Sequence, residues 1–154
     1  MDFSLGVNMG KRYEFLPHTA DAKFRAYGRT LEEALANAAL AMISLMWEWE
    51  KIKPVEREII KVNASSLEQL IVKFLTEFLY LLEVKSFMLS QIDNLKIKQI
   101  KEGDRTVYQL EAGLRGDRIS PYYEIYGEVK AVTYSDMKIE RRVDGFVLQL
   151  VVDM

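Results

Sequence analysis

Residues 13–28 read YEFLPHTADAKFRAYG, and this stretch decides how the fold is interpreted. Apolar residues alternate at both of its ends, which is typical of two short strands joined by a tight corner. The corner, H-T-A-D, holds His18, the chain's only histidine, and Asp21 three residues later. Polar corners between strands often present side chains to a partner. The same residue types also serve ordinary turns, and from these residues alone that simpler role is the more common one.

Helical periodicity follows the corner twice. Thr30 and Glu33 have the spacing of a capping box, and the apolar residues after them predict a helix over residues 31–47. A pair of serines then precedes a wide apolar stripe from Leu67 to Leu82, which predicts a second helix. Stripes of this width bury a helix in a globular core, so we expect both helices to pack against a sheet.

Period-two alternation dominates the rest of the chain and predicts strands. The predicted strands cover residues 52–62, 87–100, 106–115, 125–140 (with a break near Gly127) and 146–153. Turn signals around Gly103 and Gly145 join neighbouring strands as hairpins, while residues 116–121 are expected to form a loop. Gly113 indicates a bulge or a tight approach within its strand. Alternating strands with two early helices predict a single-domain α+β fold, with two helices packed on a largely antiparallel β-sheet assembly.

Composition excludes several classes of protein. The formal net charge of −2 argues against a main role in coating nucleic acid, which normally needs a basic face. The absence of cysteine excludes disulfides, thiolate metal sites and cysteine nucleophiles. No apolar run approaches the roughly 20 residues of a membrane span, and residues 1–10 lack the features of a secretory signal. We therefore expect a cytoplasmic protein with no membrane partner.

Asp153 stands out at the end of the last predicted strand. It follows the apolar run from Phe146 to Val152 and lies beside the carboxylate of Met154. Negative groups this close repel one another unless a cation or a basic side chain neutralises them. If the fold brings Asp21 nearby, such an oxygen-rich cluster would suit a hard cation, Ca²⁺ or Mg²⁺, rather than zinc. The alternative is an ordinary solvated chain end.

The sequence lacks the motifs of the common catalytic classes. It has no serine nucleophile elbow, no P-loop and no G-x-G-x-x-G stretch. A lone histidine with one acid is not a catalytic triad without a matched nucleophile. Two acids and a lysine would nevertheless support metal-assisted phosphoester chemistry, so a hydrolase remains an open alternative.

Several separated blocks of the sequence resemble the archease family. They are HTADAKFRAYG at residues 18–28, TLEEALANAALAM at 30–42, LIVKFLTEFLY at 70–80, GEVKAVTY at 127–134 and VVDM at 151–154. The resemblance covers residues 12–154 as one archease domain, with residues 1–11 as an N-terminal extension. Two positions depart from the family pattern, because many members carry histidine where this chain has Tyr123 and Ser135.

The resemblance implies a metal site and names its residues. Asp21 and Asp153 would be the acidic ligands, and Met154 would offer a carbonyl or terminal oxygen. The implied cofactor is a divalent hard cation, Ca²⁺ first and Mg²⁺ second. Lys130 would be a nearby functional base or phosphate contact, although Glu128 shares its strand face and a solvated role is the alternative. His18 would be a neutral ligand or would orient one.

The resemblance also implies a function without catalysis. Archeases are similar in activating an RtcB-type RNA-splicing ligase in tRNA splicing and RNA repair, promoting ligase guanylylation and multiple turnover. The near-neutral charge agrees with a helper that meets RNA only through the ligase. The competing interpretation is a small metal-dependent phosphohydrolase that uses Asp21 and Asp153. A general chaperone-like binder is not favoured, since no plainly exposed apolar segment is evident.

Overall fold

The computed structural model describes residues 10–154, and residues 1–9 of the predicted extension lie outside this range. The elements in chain order are β1 (Tyr13–Leu16), β2 (Ala22–Gly28), α1 (Leu31–Ser44), a 3₁₀ helix (Trp49–Lys51), β3 (Glu56–Ala64), α2 (Leu67–Lys85), β4 (Phe87–Glu102), β5 (Arg105–Arg118), β6 (Ala131–Val132), β7 (Lys138–Arg142) and β8 (Gly145–Asp153). No helix in the described range is both long and apolar enough to cross a membrane.

Two antiparallel sheets carry the two helices. In the larger sheet β1, β2 and β8 follow in order, and both β6 and β7 pair with the far side of β8. In the smaller sheet β5 lies between β3 and β4. Helix α1 packs mainly on the larger sheet and α2 mainly on the smaller one. The predicted α+β class is therefore confirmed.

Both helices begin where the sequence predicts. The backbone N–H of Glu33 donates to Thr30 Oγ1 at 3.1 Å, and that of Gln69 donates to Ser66 Oγ at 3.1 Å. These bonds satisfy N–H groups that have no partner inside the helix. The side chain of Gln69 completes the cap of α2, because its Oε1 accepts the N–H of Ser65 at 2.9 Å. The capping hydrogen bonds thus determine where each helix begins, which the apolar stripes alone do not specify.

Helix α1 lies unusually close to β2. A Cβ on Gly28 would come within 2.2 Å of the backbone nitrogen of Ala34, so only glycine fits there. The buried side chain of Asn37 donates to the carbonyl of Tyr27 at 2.7 Å, which ties the helix to the strand. The small residues of α1 allow this approach, and they fix β2 against the core.

Helix α1 ends at Ser44, three residues before the predicted end. Leu45, Met46 and Trp47 instead form turn hydrogen bonds back to the helix, and the Trp47 side chain enters the core. Its Nε1–H donates to the carbonyl of Leu89 at 3.0 Å. The 3₁₀ helix follows, so the strand predicted over residues 52–62 begins only at Glu56.

The long strand predicted over residues 125–140 is wrong. The segment forms only two short strands, β6 and β7, separated by a turn in which Asp136 has φ of 50°. Before β6, Gly127 approaches the carbonyl of Leu45 so closely that a Cβ would lie 2.2 Å from it. This contact with the end of α1 prevents continuous pairing along the sheet. Within this segment only Val129 is buried, so the alternation in sequence did not mark a strand with one buried face.

The β4–β5 hairpin is longer than predicted. Its turn places Gly103 at a φ of 64°, as the turn signal indicated. β5 continues to Arg118 through the predicted loop, because Gly116 pairs with both Leu89 and Glu56. β4 carries two register shifts, and the second lies just before Asn94, which pairs with Gly113. The expectation of a bulge or tight approach at Gly113 is thus confirmed.

Candidate functional site

The pairing of β2 with β8 brings Asp21 and Asp153 to neighbouring positions. The last pair in the register is Ala22 with Val152. Asp21 precedes Ala22 and Asp153 follows Val152, so the two acids directly flank the last pair of the register. Two residues far apart in sequence thus lie at the same end of the sheet.

The corner that leads into β2 is sharply turned. Ala20 has a φ of 70°, a conformation that side chains larger than glycine rarely adopt. The N–H of Asp21 donates to the carbonyl of Thr19 at 2.8 Å. This turn fixes the backbone of Asp21 just before the strand, and the acid itself is only half-buried. Corner geometry and strand pairing therefore position the same carboxylate.

Asp153 is held from its other side by the segment that enters β6. Its carbonyl accepts the N–H of Lys130 at 2.8 Å, and Ala131 pairs with it in the register. Asp153 is consequently the end of a strand with neighbours on both sides. Its side chain is nevertheless exposed. The backbone is ordered by the sheet while the carboxylate stays free for other partners.

The two carboxylates are not neutralised by the surrounding protein. Within residues 10–154, neither Asp21 nor Asp153 takes part in a side-chain hydrogen bond or an ion pair. Lys23, the nearest basic residue along β2, instead pairs with Asp136 at 3.5 Å. Two unpaired carboxylates at adjacent positions form a local concentration of negative charge that favours a cation.

The available oxygen donors fit a hard cation with few protein ligands. Ca²⁺ and Mg²⁺ take carboxylate, carbonyl and water oxygens, and Ca²⁺ does so at 2.3–2.6 Å. No group of three or more histidine and acidic side chains in the described range is placed to hold a metal ion. Asp21 and Asp153 would therefore supply the side-chain ligands, with a main-chain oxygen of Met154 and water completing the coordination. Zinc, which prefers nitrogen and sulfur ligands, does not suit this donor set.

Lys130 lies beside these acids and next to a groove. It is exposed, as is Glu128, while Val129 between them is buried, which agrees with the shared face expected from the sequence. In the described part of the chain its ammonium group has no hydrogen-bond or ion-pair partner. The groove has a volume of about 570 Å³ and is lined by residues of α2 and of the segment before β6, including Leu79, Leu82 and Val129. Lys130 therefore contacts Asp153 through its backbone, and its residue lines an open groove.

His18 is exposed in the corner between β1 and β2. Its side chain makes no hydrogen bond or ion pair with residues 10–154. The structure thus places Asp21 and the Lys130 backbone on opposite sides of the end of β8 that carries Asp153, and it leaves His18 exposed in the corner before Asp21. The role that the resemblance implies for His18 stays a prediction.

One polar cluster was not singled out by the sequence. The hydroxyl of Tyr123 donates to Asp117 Oδ2 at 2.6 Å and accepts the N–H of Lys53 at 3.2 Å. This bond lowers the pKa of Asp117 and raises the pKa of Tyr123. The cluster lines a groove of about 610 Å³ with Tyr122 and Tyr126. The three tyrosines in residues 122–126 could have indicated this cluster from sequence. Tyr123 was noted there only because many members of the family carry histidine at that position.

Comparison with known proteins agrees with this architecture. The chain matches the archease protein family over residues 13–154. It is 39% identical over 149 residues to the protein archease of Methanosarcina mazei, covering 96% of this chain and 99% of the relative. It is 36% identical over 146 residues to the protein archease of Pyrococcus abyssi, covering 94% and 99%. The solution structure of Methanobacterium thermoautotrophicum protein 1598 superposes with a TM-score of 0.74 at 29% identity, covering 93% of this chain and 99% of that one.

The matches extend over nearly the whole chain and not over an isolated motif. The family match spans both helices and every strand described above. The relatives match over almost their full lengths, and the similar solved structure supports the same fold. The resemblance identified from separated sequence blocks is confirmed, and the chain belongs to the archease family.

Proposed function

We propose that this chain is a non-catalytic activator of an RtcB-type RNA-splicing ligase in tRNA splicing and RNA repair. It acts through an acidic tip, defined as the carboxylates of Asp21 and Asp153 at the shared end of β2 and β8. The observation that supports the proposal is that these two acids directly flank the last pair of β2 and β8, Ala22 with Val152, and are exposed or half-buried without a neutralising partner in the described residues. Membership in the archease family supports the proposal, because the resemblance described above implies such a ligase as the partner.

The chemistry of the tip suits the active-site mouth of a nucleotide-using enzyme. Asp21, Asp153 and an oxygen of Met154 would hold a Ca²⁺ or Mg²⁺ ion, which would supply positive charge for phosphate oxygens. Lys130 would contribute a second positive charge that can contact a phosphate directly. The sheet holds the Asp153 and Lys130 backbones in fixed positions, so these groups are preorganised before the partner arrives. Such a tip promotes ligase guanylylation by orienting groups in the partner and needs no nucleophile of its own.

A helper of this kind should bind transiently. A contact that is made and released in each ligase cycle needs only a small interface, below roughly 1,200 Å². Charge complementarity between the tip and the partner would speed encounter and make the stimulation sensitive to salt. A chain that leaves after each cycle can act on several ligase molecules.

The deciding experiment is multiple-turnover RNA ligation with less than one copy of this chain per ligase. The wild-type chain should raise the number of turnovers, and Asp21→Ala and Asp153→Ala should not. Asp104→Ala, which removes an exposed acid from the distant β4–β5 turn, is the matched control and should stimulate like wild type. Robust phosphohydrolase turnover by the isolated chain, lost in Asp21→Ala, would instead support the enzyme interpretation.

A further inference from the structure

The outer face of the smaller sheet carries lysines and amides in matching registers. Lys61 of β3 and Lys96 of β4 both pair with Glu111 of β5. Two residues after Lys61 and Lys96, Asn63 and Lys98 both pair with Gln109. Asn94 lies two residues before Lys96 in β4. Residues at paired positions share a face, so these side chains stand together. We call this set the lysine face, and it comprises Lys61, Asn63, Asn94, Lys96, Lys98, Gln109 and Glu111.

No described element covers the lysine face. The opposite face of the same sheet packs on α2 and holds the buried residues Leu110, Ala112 and Leu114. On the outer side, all three lysines and Glu111 are exposed. The lysine face also lines a shallow depression of about 530 Å³. The register shift before Asn94 interrupts the ladder at one end of this face, where Asn94 Oδ1 accepts the N–H of Gly113 at 3.0 Å.

The charges on this face are unbalanced and unpaired. Glu111 lies between Lys61 and Lys96, yet within residues 10–154 it forms no ion pair with either. Other lysines of the chain do find acids, for example Lys85 with Glu58 at 3.0 Å. Three lysines against one acid give the face a local positive charge, although the whole chain carries −2. A local positive patch attracts polyanions even when the net charge is slightly negative.

We infer that the lysine face is a weak, sequence-independent binding surface for the backbone of RNA. The lysines would contact phosphates, and the amides of Asn63, Asn94 and Gln109 would bond ribose hydroxyls and base edges. No aromatic side chain lines the depression, so bases would not stack there and sequence would not be read. The surface adds a direct contact with RNA to the indirect contact through a ligase that the sequence suggested.

RNA suits this surface better than an acidic protein segment does. Protein interfaces normally have a core of aromatic or apolar residues, and the only apolar residue lining this depression in the described range is Leu110. Amide side chains both donate and accept hydrogen bonds, which matches the mixed groups of ribose and bases. The carboxylates of an acidic peptide only accept, whereas ribose hydroxyls both donate and accept. The pairing of lysines with amides is therefore better matched by a nucleic acid.

The test is fluorescence anisotropy with the full chain and a labelled, single-stranded 20-nucleotide RNA. Wild type should bind with a Kd in the range of about 10⁻⁶–10⁻⁴ M near physiological salt. With three phosphate contacts, affinity should fall by about 20-fold between 50 and 200 mM salt. The triple variant Lys61→Gln, Lys96→Gln and Lys98→Gln should lose about tenfold or more in affinity and most of this salt dependence.

The control variant removes three positive charges from outside the lysine face. Lys53→Gln, Lys101→Gln and Lys138→Gln alter exposed lysines outside the lysine face, and this variant should keep most of the affinity. Circular dichroism melting checks that both triple variants fold, and the single variant Lys96→Gln provides a milder test if one does not. Equal losses in both triple variants, no binding by wild type, or equally tight binding of an oligoglutamate peptide would each overturn the inference. The measurement uses no ligase, so failure of the proposed activation would not affect it.

Discussion

Lys130 donates its backbone N–H to the carbonyl oxygen of Asp153 at 2.8 Å, and this bond completes the pairing of β8 on the side opposite β2. The strand end is therefore held by backbone bonds that do not involve the Asp153 carboxylate. A residue whose backbone is fixed and whose side chain is exposed can be changed without disturbing the sheet. The backbone of Asp153 therefore contributes to the sheet, while its carboxylate is exposed to solvent.

The first prediction is that Asp153→Ala preserves the fold and abolishes cation binding. Stability without metal should change by no more than about 0.5 kcal/mol, as for surface substitutions, because the side chain has no partner to lose. Calorimetric titration with Ca²⁺ should show binding to wild type and none to the variant. A large fall in the melting temperature of the metal-free variant would mean that the carboxylate has a structural role and would contradict the prediction.

The second prediction is that cation binding weakens as the solution becomes more acidic. Carboxylates bind metal only when deprotonated, so protons compete with the cation for Asp21 and Asp153. Titrations with Ca²⁺ at several values between about pH 6 and pH 3.5, the range in which carboxylates ordinarily take up protons, should show a loss of affinity and release of protons on binding. Affinity that is constant over this range would show that the ligands are not these carboxylates. Asp104→Ala serves as the control and should follow the wild-type curve.

The third prediction concerns alkaline pH and the buried Tyr27. Burial, reinforced by the hydrogen bond from its hydroxyl to Glu14, raises the pKa of Tyr27 to about 12 from an ordinary value of 10.0. A raised folded-state pKa gives stability that is complete below pH 10 and is lost as the pH rises towards 12. Urea unfolding of wild type should therefore show falling stability in that window. Tyr27→Phe should lack this component of the loss, whereas Tyr122→Phe, which alters an exposed tyrosine, should leave it unchanged.

The fourth prediction concerns the tight passage at Gly127. A Cβ there would lie 2.2 Å from the carbonyl oxygen of Leu45, which is backbone and cannot move aside easily. Gly127→Ala should cost about 1–3 kcal/mol of stability, as overpacking does. It should also weaken Ca²⁺ binding, because the segment up to Lys130 would shift away from Asp153. Gly113→Ala is the control, since its Cβ would meet only the Asn94 side chain at 3.1 Å and should have a smaller effect.

Elements governed by local signals were predictable from sequence. Capping at Thr30 and a wide apolar stripe defined the helices, and the Gly103 turn defined the long hairpin. The sequence indicated a break near Gly127, but the loss of most of the strand over residues 125–140 was not predictable, because it depends on the contact of Gly127 with Leu45, far away in the chain. Alternation in this segment marked neither a buried face nor continuous pairing.

The candidate site was also only partly predictable from sequence. The residues Asp21 and Asp153 were identified as unusual acids from their positions next to apolar strands. Their meeting could not follow from spacing, because it depends on the antiparallel register of β2 and β8. Only the family resemblance connected them beforehand. The lysine face was missed because its residues come from three strands, each of which alone has an ordinary solvated side.

The placement of β8 between β2 and its two short partners has a consequence for synthesis of the protein. Arg25 and its hydrogen-bond partner Gln149 are separated by 124 positions, so β2 must wait for almost the whole chain to emerge from the ribosome. At translation speeds of roughly 5–20 residues per second, its edge stays unpaired for several seconds. A product truncated before β8 would keep the unpaired edge of β2 exposed and would lack Asp153. Incomplete copies should therefore be cleared by proteases or aggregate.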